Sequence, residues 1–394
     1  MKTVEIIFWI ALFVVFYAYI GYGLLLALLV RLKEAVRKPA QAPQPDEWPD
    51  VTLLIAAYNE EDVVPEKMEN CRALDYPPGK LRILWVTDGS NDGTNDRLAR
   101  YPDATVCFQP QRQGKTAALN RGIGQVTTPL VVFTDANTML NREAIREIVR
   151  PFTDPRVGCV AGEKRIAQRH DGSAAATEGV YWKYESLLKQ WDSRLCSTVG
   201  AAGELYAIRR DLFVKMPPDT LLDDFILSMT IARRGYRIAY CREAFAEESE
   251  SADMHEEGKR KVRICAGGLQ SVWRLRPLLN IFRYGTLSFQ YISHRVLRWS
   301  AAPLCLFALL PLNVALVASG RHAFLYTTLL ILQILFYLGA FGGWYLARHE
   351  RRNRYLFIPY YFLFMNANVI RGALYLARRR GSKSGAWEKA RRSA

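Results

Sequence analysis

Apolar positions follow more than one rhythm along this chain. The first is continuous: Ile6 to Val30 holds no charged residue, and a membrane-spanning helix needs about 20 such positions. A cleaved signal peptide is the competing reading. The apolar core is long for one, only Lys2 leads it, and no small-x-small cleavage site follows. Arg31, Lys33, Arg37 and Lys38 come next, and the positive-inside rule then places the residues after them in the cytoplasm. Residues 1–32 are expected to be a transmembrane helix and residues 33–50 a linker, rich in Pro, Gln and Asp from residue 39 onwards.

The second rhythm alternates short β-like runs with helical ones. Val51–Ala57, Leu81–Thr87, Ala104–Phe108, Leu130–Asp135 and a run near Val157–Ala161 read as strands. Glu60–Arg72, Asp92–Arg100, Lys115–Gly124 and Arg142–Pro151 read as helices between them. Such alternation predicts βαβ units and a mostly parallel sheet. After residue 162 the pattern loosens. Thr177–Arg194 reads as a helix whose Tyr181, Trp182, Tyr184 and Trp191 form an aromatic stripe, more often core packing than a sugar platform. Gly200–Arg210 is a small-residue loop entering a short strand, and Asp223-Asp224 opens a helix running to Gly235. The domain so bounded is residues 51–258.

The third rhythm mixes basic and apolar positions. Lys259, Arg260, Lys261, Arg263, Arg274 and Arg276 occur with no acid among them, a pattern usual for a solvated or lipid-headgroup face. Residues 259–295 are therefore expected to be basic interfacial helices. Val296–Ser319 and Ala323–Ala347 are of spanning length, and only Gly320, Arg321 and His322 part them. They predict a transmembrane hairpin over 296–347. Residues 348–377 carry Asn366, Asn368 and Arg371 within an apolar run, which suggests a re-entrant or interfacial segment. The basic tail, 378–394, then stays on the cytoplasmic side.

Composition narrows the class. Half of the 394 residues are hydrophobic, yet the net charge is +15. Much of that excess lies beside apolar spans, so anionic lipid is a simpler partner than nucleic acid, for which no module is present. The seven cysteines are scattered without a C-x-x-C pair, which reads as reduced cytosolic thiols and not a disulfide or zinc framework. No G-x-G-x-x-G follows the first strand and no P-loop occurs, so dinucleotide and NTPase readings are weak.

The chemistry gathers at one stretch, Pro129-Leu-Val-Val-Phe-Thr-Asp135-Ala-Asn137-Thr138. Its apolar run predicts a strand buried on both faces, and ligands bind just past the carboxyl ends of such strands. Asp135 there either holds a metal or sugar or merely caps a turn. On this stretch alone the two readings are equal.

Four motifs in order shift that balance. They are Ala57-Tyr58-Asn59-Glu60, Asp88-Gly-Ser-Asn-Asp92-Gly-Thr94, Asp135-Ala-Asn137 and Asp223-Asp224-Phe225. They resemble the ordered motifs of family 2 glycosyltransferases. These are membrane-linked inverting enzymes related to cellulose, chitin, hyaluronan and poly-N-acetylglucosamine synthases. The resemblance covers roughly residues 50 to 300. It implies an α/β domain of the GT-A nucleotide-sugar type, flanked by transmembrane and interfacial helices. It also implies an inner-membrane, multi-pass location with the catalytic domain in the cytoplasm, and membrane lipids as partners.

The resemblance assigns roles residue by residue. Tyr58 and Glu60 would contact the nucleotide base, Asp88 the base or ribose, and Lys115 the nucleotide; read alone, Asp88 is also a turn residue and Lys115 a surface charge. Asp135 matches the first acid of the family's D-x-D and would hold Mg2+ or Mn2+, with Asn137 in place of the second acid. Hard cations take oxygen ligands, which suits this set. Asp224 matches the second acid of the E/D-D pair and would be the catalytic base, its pKa raised by Asp223. Arg263 matches the arginine of Q-x-x-R-W and would neutralise the leaving diphosphate. In this chain Gln is Arg260 and Trp is Ile264, which weakens the processive reading. The implied reaction moves a sugar from a nucleotide-diphosphate donor, UDP-linked by expectation, to a lipid-linked or membrane-proximal glycan. Processive polymer synthesis is the runner-up. A nucleotidyltransferase would carry a glycine-rich basic loop after the first strand, and a non-catalytic adaptor would have lost the acids; neither pattern is present.

Overall fold

The computed structural model describes residues 1–37, 43–166, 173–248, 254–320, 322–349, 351 and 353–378. The basic tail after Arg378 and part of the linker lie outside the described residues. Helix α1, Lys2–Val36, is long and apolar enough to span a membrane. It contains a π-helical turn at Tyr17–Gly21.

The sheet begins with β1, Val51–Ala57, which lies between β2, Leu81–Asp88, and β4, Leu130–Asp135, all parallel. Every residue of β1 is buried. Leu54 and Ala56 belong to one apolar cluster, and Val51, Leu53, Ile55 and Ala57 to another. Side chains alternate across a strand, so each face of β1 meets its own core. That is why the sequence shows an unbroken apolar run instead of alternation. Three helices follow these strands: α2, Val64–Arg72, α3, Thr94–Leu98, and α4, Lys115–Gly122. Strand β3, Ala104–Gln109, closes this edge beside β2.

The far half of the sheet is mixed. Strand β5 is Thr138–Leu140, helix α5 is Ala144–Val149, β6 is Val157–Ile166 and β7 is Leu205–Arg209. Helix α6, Ser173–Leu195, precedes β7; helix α7, Asp223–Arg233, and β8, Arg237–Glu248, follow it. The order across the sheet is β3-β2-β1-β4-β7-β6-β8-β5. β7 runs antiparallel to both of its neighbours, β4 and β6. The expected mostly parallel sheet is present as a mixed one, with reversals at β7 and β5.

Two strands were not expected. β8 contains Arg237, Arg242, Glu243, Glu247 and Glu248, charges that hide its alternation. β5 is three residues long, too short for a periodic signal. The helix expected from Glu60 starts at Val64 instead: residues 61–63 form a turn, and the Glu60 backbone N–H is held by the Thr94 hydroxyl at 2.9 Å. In α6, Tyr184 and Trp191 pack against Tyr22, Leu26 and Val30 of α1, as core aromatics should; Tyr181 and Trp182 lie outside the residues whose side chains are described.

The basic segment departs from expectation. Helix α8, Met254–Arg274, turns several of its cations inward. Arg260 pairs with Glu257 at 3.1 Å and Glu248 at 3.5 Å, Lys261 with Glu257 at 3.2 Å, and Arg274 with Asp219 at 2.7 Å. Acids distant in sequence, or just upstream of the run, neutralise them: Arg260 and Arg274 reach acids of the α/β domain, and Lys261 pairs within its own helix. Residues 276–299 form short helical turns, among them α9, Thr286–Tyr291. Leu275, Leu278, Leu287 and Tyr291 join the domain core, while Trp273 and Phe282 project outward, 70% and 99% exposed.

Helices α10, Ala301–Ala318, and α11, Ala323–Arg348, are again long and apolar enough to span a membrane. Phe8 and Ala11 of α1 cluster with Leu309 and Leu316 of α10 and Tyr326 of α11. The last helix, α12, Arg354–Arg378, is continuous and crosses α8 closely: a Cβ on Gly372 would lie 2.8 Å from the Ala266 nitrogen. A buried polar network ties the apolar helices to the domain. His294 Nδ1 lies 2.6 Å from Asp192 Oδ2, Arg295 pairs with Glu185 at 2.5 Å, and Arg298 Nε donates to the Ala18 carbonyl at 2.9 Å.

Candidate active site

The carboxyl ends of β1, β2 and β4 share one edge of the sheet, and the motifs sit in the loops there. The turn after β1 is zipped to the turn after β2. Asn59 Nδ2 donates to Asn91 Oδ1 at 2.8 Å, the Asn91 N–H returns to Asn59 Oδ1 at 2.9 Å, and the Gly93 N–H donates to Glu61 Oε2 at 3.0 Å. Tyr58 is half-buried beneath Arg112, whose guanidinium stands 3.8 Å from the ring centre. Arg112 was not anticipated, although it directly precedes the Gln113-Gly114-Lys115 run. Glu60 lies on the same rim and is partly exposed.

Gly89 carries the β2 turn beneath this loop at φ +69°, where a Cβ would stand 2.6 Å from the Arg112 nitrogen. Gly89→Ala is therefore expected to cost about 1–3 kcal/mol, the range for a strained backbone position. Thermal denaturation, with nucleotide affinity measured alongside, checks this; an unchanged melting temperature would contradict the packing.

Asp88 does not face the rim. It has no exposed surface. Its Oδ2 accepts from the Gln113 N–H at 2.9 Å and the Gly114 N–H at 2.6 Å, and Arg121 lies 3.4 Å from its Oδ1. In this conformation the carboxylate acts as a brace. Asp88 fixes the 113–114 loop, Gly114 turns at φ +96°, and Lys115 begins α4.

Lys115 is the point of convergence. Its Nζ lies 2.6 Å from Asp135 Oδ1. A Cβ added to Gly203 would stand 3.4 Å from both Lys115 Nζ and Asp224 Oδ2, so one glycine separates the cation from the second acid. Burial opposes the Lys115 charge, but Asp135, Asp223 and Asp224 outweigh it and hold the ammonium above the ordinary lysine range. Burial likewise pushes the Asp135 carboxyl up, against the pull of Lys115.

Asp224 lies in the first turn of α7, where its Oδ1 accepts from the Phe225 N–H at 2.8 Å. Burial first, and then the neighbouring Asp223, push its pKa up to about 7, with Lys115 opposing. A carboxylate so tuned can hold or release a proton near neutrality, which a general base requires.

A second charged group flanks the first. Lys164, 3% exposed at its side chain, pairs with Glu204 at 2.5 Å and with Glu248, which Arg260 also reaches. Burial works against the Glu204 charge, but Lys164 outweighs it and holds the carboxyl well below the usual range. The sequence did not single out this group, because its members come from β6, the loop before β7, β8 and α8. Arg263, half-buried on α8, makes no hydrogen bond or ion pair with a described residue.

Among the described residues, no cluster of three or more His, Cys, Asp or Glu could hold a metal alone. Asp135 nevertheless offers a partly exposed carboxylate at a strand end, and Asn137 follows in the turn. This is an all-oxygen donor set of low count. It fits Mg2+ or Mn2+, which keep waters and substrate phosphates as further ligands.

Comparison with known proteins agrees with this geometry. The family model described as "Glycosyltransferase like family 2" matches residues 49–267, more than half of the chain, and the chain belongs to that family. It is similar to the poly-beta-1,6-N-acetyl-D-glucosamine synthase of Staphylococcus aureus (strain MSSA476), 26% identical over 236 residues, 58% of this chain and 57% of that protein. The probable glycosyltransferase YdaM of Bacillus subtilis (strain 168) is 26% identical over 240 residues, 56% of each chain. The matched region spans little more than half the length of these relatives. Among solved structures, the mannosyltransferase PcManGT from Pyrobaculum calidifontis, in complex with GDP-Man and Mn2+, aligns with a TM-score of 0.70. It is 24% identical, over 94% of this chain and 99% of that one, and shares the GT-A fold.

Proposed function

We propose that this chain is an inverting glycosyltransferase that moves a sugar from a nucleotide-diphosphate sugar, UDP-linked, to a lipid-linked or membrane-proximal glycan. The reading rests on one observation above all: Lys115 gathers Asp135 and Asp224 about Gly203 at the carboxyl edge of the sheet. Tyr58, Glu60 and Arg112 line the rim where the base and ribose would lie. Lys115 faces the diphosphate and offsets its charge. A divalent ion, held by Asp135 and Asn137, would neutralise the same leaving group. Asp224 takes the proton of the acceptor hydroxyl as that oxygen attacks the anomeric carbon. Arg263 serves the departing diphosphate only if α8 brings it to the rim. The domain lies on the cytoplasmic side of an inner membrane, where nucleotide sugars are made.

Processive synthesis is the second reading, favoured by the similarity to a poly-β-1,6-N-acetylglucosamine synthase. Ile264 opposes it, since the family's processive members place Trp there. A panel of UDP- and GDP-sugars, incubated with detergent-solubilised protein and Mn2+, decides the class. Release of nucleoside diphosphate from one donor is expected. Silence across the panel, with no ligand-induced thermal shift, would contradict the assignment. Mass spectrometry of the product then separates a single added sugar from a ladder.

A further inference from the structure

We propose that Lys67, together with Asn70, is a positioning residue that holds the Asp135–Asn137 turn in its working geometry. The inference rests on the glycosyltransferase reading above. Lys67 lies on α2, behind the sheet edge, and has no exposed surface. Its Nζ donates to the Thr138 carbonyl at 2.5 Å and lies 3.4 Å from Thr134 Oγ1. On the same helical face, Asn70 Nδ2 donates to the Leu140 carbonyl at 2.8 Å, and its Oδ1 accepts from the Leu140 N–H at 2.9 Å. Strand β5 is three residues long and pairs with β8 alone. Two polar side chains of α2 thus pin it at both ends.

The connections run into the site from both sides. The Thr138 hydroxyl donates to the Asp135 carbonyl at 3.0 Å, and the Thr134 hydroxyl to the Glu204 carbonyl at 2.9 Å. Glu204 follows Gly203, the residue between Lys115 and Asp224. One buried ammonium therefore braces the strand end that carries Asp135 and, through Thr134, the loop beside Asp224.

Fold stability gives no reason for this lysine. An ammonium taken from water, with a carbonyl and a hydroxyl as its hydrogen-bond partners, is a net cost. Burial accordingly pulls its pKa down to about 8. Methionine would fill the same space without that desolvation, at the expense of the donor to the Thr138 carbonyl. A group kept against stability, directly behind a reacting centre, is one whose use is geometric.

Lys67→Met in the full-length protein tests this. The melting temperature is expected to stay within a few degrees of that of the wild type, since relieved desolvation and the lost hydrogen bond oppose each other. Turnover should fall about 10–100-fold, as small misplacements in active sites do, with donor KM within a factor of about two. Hydrogen exchange of a peptide spanning residues 134–141 should quicken about tenfold while the rest of the sheet stays protected. Asn70→Ser, which leaves Lys67 in place, should shift the same peptide and turnover less far. Unchanged turnover in Lys67→Met would overturn the proposal, as would a loss that tracks a lower melting temperature and faster exchange throughout the domain. If the wild type releases no nucleotide from any donor, the glycosyltransferase reading fails by itself. Exchange over 134–141 then still judges the clamp, and unaltered exchange there overturns it.

Discussion

Asp224→Asn is expected to slow sugar transfer by about 10²–10⁴-fold, the usual contribution of a positioned general base, while nucleotide affinity stays nearly unchanged. The amide keeps the acceptor oxygen that the Phe225 N–H meets at 2.8 Å, so the start of α7 holds. What disappears is the group that titrates at about 7. In the wild type, turnover should climb as pH rises through about 7, because the base must be unprotonated. The variant should lose that limb of the profile. Stability carries the opposite sign. The folded-state pKa lies above the ordinary value of 3.8, so the folded protein binds the proton more tightly than the unfolded chain does. This contribution to stability is fully present below about pH 4 and is lost as pH rises through about 7. At pH 8, Asp224→Asn should therefore melt a few degrees higher than the wild type. A variant that melts lower, or keeps wild-type turnover, would remove Asp224 from the role of base.

Asp135→Asn is the companion experiment, with a contrasting signature. Removing this carboxylate takes the nearest counter-charge from Lys115, 2.6 Å away, and the only acid in the Asp135-Ala-Asn137 turn. Turnover should fall by about 10²–10³-fold or more, the range for losing one electrostatic element at a reacting centre. Mn2+ should no longer sharpen nucleotide binding, which calorimetric titration of the nucleotide with and without the ion would read. Lys115 keeps Asp223 and Asp224 as counter-charges, and burial pushes the Asp135 carboxyl up as it does that of Asp224, so near pH 8 Asp135→Asn should melt no lower than the wild type. Loss of the Mn2+ effect on nucleotide binding is then what separates the two variants. A Mn2+ effect that survives in Asp135→Asn would remove Asp135 from the role of metal ligand.

Much of this arrangement was legible in the chain itself. The run from Leu130 to Asp135 announced a strand buried on both faces, because each face of this sheet half has its own core, and β1 and β2 were legible as strands beside it. Motifs at the ends of those strands had to share an edge, since parallel neighbours carry their carboxyl ends together. Asp88 shows where residue type stops being informative. A carboxylate in a turn reads the same whether it meets a nucleotide or, as in this fold, two backbone N–H groups of a loop 25 residues away. The inward turn of Arg260 and Lys261 was hidden for a related reason: Glu248 and Glu257 sit outside the basic run, so the run looked uncompensated. Lys164 and Lys67 were silent altogether. Each draws its meaning from partners on two other segments, a relation that spacing along the chain does not encode.

The proposed chemistry is a single displacement at one carbon, with Asp224 on the attacking side and Lys115 on the leaving side. Proton NMR of the first product formed by purified wild-type protein, once the donor panel has named its sugar, reads this directly. The new glycosidic bond should have the anomeric configuration opposite to that of the donor. A product that retains the donor's configuration would require two displacements, and would contradict both the role of Asp224 as base and that of the group gathered around Lys115.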